Sequence, residues 1–201
     1  MSIAFVIGNG TSRKPIDLNQ LKTFGKIYAC NAVYREMNPD YLVAVDSKMI
    51  TEINRSQYQI NHEVWTNPNK LYKGFHKFNY FKEPLGWSSG PTALWLASNH
   101  KEYDPHIDHN HIFILGFDYR GSGGLINNLY ADTENYKKST DPETYHGNWA
   151  RQTGIVIQRN YTKKYTRVTE FKSDYCPDGL QQMGNLNHMT VQEFMEYFKI
   201  S

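Results

Sequence analysis

The sequence predicts an α/β chain built as a single Rossmann-like, doubly wound and mostly parallel sheet. Three observations carry this. IAFVI (3–7), KIYAC (26–30) and HIFILGFD (111–118) are apolar runs of the kind that strands buried on both faces require. Helical segments fall between such runs rather than after them all, as crossover connections demand. At 201 residues the chain suits one domain over 1–201, large enough for a real core.

The elements follow in order. Residues 3–7 form the first strand. IDLNQLKTFG carries Ile16, Leu18, Leu21 and Phe24 and closes on Gly25, a short helix. KIYAC is the second strand. NAVYREMNPD is a helical turn ended by Pro39, and YLVAVD (41–46) is the third strand. SKMITEINRSQ begins on Ser47, a candidate N-cap, and reads as a helix. HEVWTN (62–67) is a strand and HKFNYF a shorter one. GPTALWLASNH (90–100) is a helix with Pro91 in its first turn. HIFILGFD is the strongest strand of the second half. GNWARQTGIVIQRNY reads as a helix, YTRVTEF as a strand, and TVQEFMEYFK as a terminal helix capped by a threonine. The stretch from Arg120 to Tyr145 is rich in Gly and Asn and long for a loop. It reads as a lid over 120–145, mobile without ligand because it has little apolar surface to bury.

Composition narrows the function classes. Net charge is +2, so no strong field draws the chain to nucleic acid or to a membrane. Mean hydropathy is −0.67, and no apolar run nears the ~20 residues of a membrane helix. MSIAFVIGNG lacks the basic and long apolar regions of a signal peptide and reads as a strand. Two cysteines, Cys30 and Cys176, make no disulfide framework and suit a reducing, cytoplasmic setting. Homo-oligomerisation is left open.

Doubly wound sheets bind ligands beyond the carboxyl ends of their strands. The residues there are Gly8, Asn9, Gly10, Thr11 and Ser12 after the first strand and Asn31 after the second. Asp46 follows the third. Ser88, Ser89 and Gly90 open the central helix, and Gly116, Asp118 and Tyr119 follow the late strand. Glycines admit close backbone approach. The serines stand at a helix mouth, where free N–H groups and the dipole favour an anion. Gly-Asn-Gly alone fits neither the dinucleotide fingerprint nor a Walker loop, and by itself reads equally as a tight turn. The set of polar strand ends, with Arg13 and Lys14 close behind, suggests an anionic ligand such as a nucleotide phosphate.

Four blocks in order then resemble bacterial lipo-oligosaccharide sialyltransferases and, more distantly, animal sialyltransferases. They are VIGNGTSRKPID, YACNAVY, WSSGPTALWLA followed by IFILGFDY, and LYADTENY followed by YHGNWARQ. The resemblance covers most of residues 3–165. It implies transfer of a sugar from a nucleotide-activated, CMP-linked donor to an acceptor hydroxyl, with no metal or other cofactor. Asn9 and Asn31 would then meet phosphate and ribose, and Ser88, Ser89 and Gly90 the donor sugar. Gly116 and Asp118 would lie by the cytidine, and Tyr119 and Tyr130 at the leaving phosphate. His146 would be the general base. The first block also resembles pterin diphosphokinases. That alternative is a Mg²⁺-dependent nucleotide enzyme using Asp46 and Asp118. A silent nucleotide-binding module is a third reading.

Two further stretches allow other chemistry. HIDHNHIF gathers His106, Asp108, His109 and His111, a metal reading set against a plain turn before a strand. RNYTKKYTRV mixes cations and aromatics and reads as a solvated strand edge rather than a nucleic-acid surface.

Overall fold

The structure, a computed structural model, describes residues 2–201. Eight strands form one sheet, ordered β5-β4-β3-β2-β1-β6-β7-β8, and every neighbouring pair is parallel. They are β1 (Ile3–Ile7), β2 (Lys26–Cys30), β3 (Tyr41–Val43), β4 (Val64–Thr66), β5 (Asn79–Tyr80), β6 (His111–Leu115), β7 (Lys164–Thr169) and β8 (Leu186–Thr190). The helices are α1 (Ser47–Ser56), α2 (Ser89–Asn99), α3 (Gly147–Arg159), α4 (Asp178–Gln181) and α5 (Val191–Phe198). The chain is a Rossmann-like, doubly wound α/β protein. Strand order reverses between β1 and β6, so a crevice opens above their carboxyl ends.

Alternation along the central strands sorts two cores. Phe5, Ile7, Ile27, Ala29, Phe113 and Leu115 pack under α1 and α5. Ala4, Val6, Tyr28, Cys30, Ile112 and Ile114 face α2 and α3. Period two is what places successive side chains on opposite faces. Gly25 lets β2 start against β1: a Cβ there would sit 2.3 Å from the Ile3 carbonyl oxygen. The terminal helix carries the expected Thr190 cap as a full capping box with Glu193.

Several local expectations need correction. The expected short helix is present at 18–23, in 3-10 form. The first helical residue of α1 is Ser47; Asp46 holds the N-cap position without a side-chain cap bond. Of YLVAVD only Tyr41–Val43 is strand, with the Ala44 N–H still donating to the Trp65 carbonyl of β4. RNYTKKYTRV is a solvated edge only in part: Arg159, Tyr161 and Thr162 are exposed, but from Lys164 the chain enters β7, which has a partner on each side and five of its six residues buried. The edge on this side is β8, whose Leu-Asn-His-Met-Thr shows no apolar run; β5 is the other edge.

His109 and His111 of HIDHNHIF serve the fold, while His106 is exposed. His109 Nδ1 meets Ser2 Oγ at 2.9 Å, and its Nε2 meets the Tyr28 hydroxyl at 2.9 Å. That hydroxyl also meets His100 Nδ1 at 2.6 Å. His111 Nε2 meets Thr166 Oγ1, and Asp108 pairs with Lys163. Among the described residues no group of three or more His, Cys, Asp or Glu is placed to share an ion.

This arrangement sets a pH dependence. Burial, with nearby His100 and Lys163, pushes His109 down to about 4, and burial with nearby Lys164 does the same to His111. An unfolded histidine titrates near 6.5. Between pH ~6.5 and ~4 the unfolded chain therefore binds more protons, and stability is lost as pH falls through that window. We expect a loss of roughly 2 kcal/mol per histidine, allowing for some water access. Urea unfolding at pH 7, 5.5 and 4.5 checks this. A midpoint unchanged over that range would contradict it.

Candidate functional site

The crevice at the switch point is a cavity of about 670 Å³. Its walls include eleven of the residues expected there: Gly8, Asn9, Gly10, Asn31, Ser88, Ser89, Gly90, Gly116, Asp118, Tyr119 and His146. Asn9 and Ser89 thus face one space from the β1 loop and the α2 mouth. Thr11, Ser12 and Tyr130 do not line it.

The floor is two loops pressed together. Gly8 N–H donates to the Leu115 carbonyl (2.8 Å) and Gly10 N–H to the Gly116 carbonyl (2.9 Å). A Cβ on Gly8 would lie 2.6 Å from the Gly116 oxygen, and one on Gly10 2.5 Å from Asp118 Oδ2. Gly116 itself has φ +70°, a region costly to a side chain. The glycines after β1 are therefore needed for loop contact as well as for any ligand.

The polar groups behind those glycines are already committed. Asp118 accepts from both the Ser12 amide and its hydroxyl. Thr11 donates from N and Oγ1 to Asn127 Oδ1, both at 2.8 Å. Arg13 turns into the core. It donates to the Gly8 carbonyl and the Tyr130 hydroxyl and pairs with Glu36 at 2.7 Å. The expectation that these hydroxyls and Arg13 face an anion is corrected accordingly. The Gly8 and Gly10 amides are taken up by the β6 loop, so the Asn9 N–H, with no partner among the described residues, is what this loop has left to offer a ligand.

Tyr130 and Tyr119 are also committed. Tyr130 is 7% exposed and belongs to the α1/α5 core. Tyr119 lines the cavity, but its hydroxyl donates to Thr153 Oγ1 at 2.8 Å. The tyrosine that offers a proton is Tyr136, in the same NNLYADTENY run. Its oxygen accepts from Asn9 Nδ2 (3.1 Å) and from the Ala32 amide (3.2 Å), which leaves its own O–H to donate. Burial raises its pKa well above the usual phenol value, so the proton is present at neutral pH. Spacing alone could not choose between Tyr130 and Tyr136.

Across the cavity the α2 mouth is held from two sides. Ser88 N–H donates to Gln152 Oε1 at 3.1 Å, and Ser89 Oγ accepts from Val45 N–H at 3.1 Å. Gln152 on α3 lines the cavity and is 6% exposed. No sequence signal marked it. His146 stands at the N-cap position of α3, and its ring lies 6.3 Å from Tyr145 and 6.1 Å from Tyr175. Two buried side-chain atoms on the cavity walls have no partner among the described residues, His146 Nδ1 and Asn31 Oδ1. Asn31 holds φ +52°, a conformation asparagine tolerates better than most residues. Asn31 Oδ1, a carbonyl-type acceptor, calls for a donor from elsewhere.

The segment 120–145 is pinned over its middle rather than free. Leu129 N–H donates to the Asn9 carbonyl. Arg35 donates to Thr133 Oγ1 and the Glu134 carbonyl, while Glu52 accepts from Arg35, Tyr34 and Asn135. The expectation of little buried surface fails at Tyr130 and Tyr136, which pack into the core. Asp46 lines the opposite wall at the end of β3 and accepts no side-chain hydrogen bond. Cys30 and Cys176 are free thiols, and Cys30 lies at the cavity wall. No helix among the described residues is long and apolar enough to cross a membrane.

No family model, curated protein or solved structure matches the chain.

Proposed function

We propose that the protein is a metal-independent glycosyltransferase resembling the sialyltransferases. In this reading it moves a sugar from a nucleotide-activated, CMP-linked donor to an acceptor hydroxyl. The observation that carries it is the meeting of Gly8–Gly10, the Ser88–Gly90 helix mouth, Tyr136 and His146 in one cavity at the switch point.

The chemistry follows from those groups. The acceptor oxygen bonds to the anomeric carbon as its proton passes to a free ring nitrogen of His146. The glycosidic C–O bond to phosphate breaks, and the phosphate leaves with the electron pair. Tyr136 donates its remaining proton as a hydrogen bond to the departing oxygen, the kind of preorganised donor that stabilises developing charge. A general base of this type is worth ~10²–10⁴-fold. Asn31 Oδ1 accepts from a ribose hydroxyl.

The Mg²⁺-dependent alternative asks Asp46 and Asp118 to share an ion. Asp118 is held by Ser12, so only Asp46 is uncommitted. The two readings part in one assay. Hydrolysis of a CMP-linked sugar is followed in excess EDTA for the wild type and for Tyr136→Phe. The transferase reading expects turnover to persist in EDTA and to fall about tenfold in Tyr136→Phe, the loss of one neutral donor. Turnover that vanishes in EDTA and returns with Mg²⁺ favours the alternative. Binding of CMP with no turnover of any donor favours a silent module.

A further inference from the structure

Arg167 is a buried cation that the proposed reaction does not use. It lies on β7, is 2% exposed, and pairs with no carboxylate among the described residues. Its guanidinium donates only to main-chain carbonyls: Nε to Phe117 (2.9 Å), Nη1 to Tyr175 (2.9 Å) and Nη2 to Asp118 (3.2 Å). The same group sits 5.0 Å over the Tyr119 ring. Buried charges are expensive unless an opposite charge or a dense set of dipoles answers them. Here three carbonyl dipoles answer it, and two of them belong to the loop that forms the cavity floor.

A trans peptide carries its C=O and N–H on opposite sides. Fixing the carbonyls of Phe117 and Asp118 on Arg167 therefore turns the amides of Asp118 and Tyr119 away from it. Neither amide has a hydrogen-bond partner among the described residues, and both residues line the cavity. Tyr119 holds φ +57° to make this turn, a costly conformation for an aromatic residue and one that gathers at functional sites. Drawing the carbonyls onto a cation also polarises the amides and strengthens them as donors.

We propose that Arg167 acts through this loop to make the amides of Asp118 and Tyr119 an oxyanion-binding pair, and that the pair takes the phosphate of the bound nucleotide. The proposal rests on the nucleotide reading of the same cavity. It makes Arg167 a positioning residue that never touches the ligand.

The test uses the ¹⁵N-labelled full chain in EDTA, titrated separately with CMP, cytidine and inorganic phosphate. The amide signals of Asp118 and Tyr119 are expected to move with CMP and with phosphate and not with cytidine. Affinities for CMP and cytidine are then compared in Arg167→Gln and Arg167→Lys. The preference for CMP should fall roughly tenfold or more in Arg167→Gln and be largely kept in Arg167→Lys, which preserves the charge. Equal losses for CMP and cytidine in a folded variant would overturn the proposal, as a merely structural arginine predicts. Amides that ignore CMP and phosphate, or that respond equally to cytidine, would also overturn it, and this holds even if neither variant folds. Amides that move with inorganic phosphate but not with CMP would show an anion site that is not the nucleotide's, and would overturn the proposal while sparing the nucleotide reading if CMP binds elsewhere in the cavity.

Discussion

His146→Ala is expected to lower turnover of a CMP-linked donor by roughly 10² or more while CMP affinity stays within a few-fold. The reasons are geometric. His146 sits at the start of α3 on the cavity wall, and its ring makes no hydrogen bond to the described residues. It is also separated in the chain from the β1 and β6 loops that would hold the nucleotide. Removing the imidazole should therefore spare binding and strip the acceptor of its base. Steady-state kinetics with binding measured alongside checks both halves. Wild-type turnover in His146→Ala would make it a wall residue, and the proposed transfer would lose its base. A parallel collapse of affinity and turnover would instead say that His146 contacts the donor.

The second large effect is on stability. Gly10→Ala is expected to cost roughly 2–3 kcal/mol, the upper range of overpacking penalties. Gly10 has φ −63°, so its backbone suits any residue. The objection is space: a Cβ would lie 2.5 Å from Asp118 Oδ2 and 2.7 Å from the Gly116 oxygen. Neither can withdraw cheaply, because Asp118 is held by Ser12 and Gly116 by the Gly10 amide. Gly179→Ala, where nothing lies within 4 Å of the new carbon, is the control and should change stability little. Urea midpoints compare the two. Equal midpoints would mean that the β1 and β6 loops part without cost, and the rigid cavity floor would be an error.

Much of this architecture can be read from the chain alone. Buried parallel strands need uninterrupted apolar residues, and IAFVI, KIYAC and HIFIL have them. Leu186–Thr190 escaped because an edge strand needs apolar contact on fewer sides, and its middle is exposed. The positions of the site were legible for a related reason. Strand ends converge in any doubly wound sheet, so Gly8, Asn31, Ser88 and Gly116 could be gathered without coordinates. Commitments were not legible. Whether Ser12 or Tyr130 is free depends on Asp118 and Arg13, which lie 106 and 117 residues away in sequence. A hydroxyl next to a glycine turn looks the same whether it faces a ligand or a carboxylate from another loop. The same blindness hid Gln152, Tyr136 and Arg167, whose roles rest on partners from distant segments.

The central claim is that the crevice between β1 and β6 binds a pyrimidine nucleotide through neutral protein donors. Calorimetric titration of the full-length protein with CMP in excess EDTA tests it most directly, with UMP, GMP and AMP run identically. The account predicts one saturable site for CMP that survives chelation, with weaker binding of the purine nucleotides. Absence of heat for all four nucleotides, or binding that appears only when Mg²⁺ is restored, would contradict it.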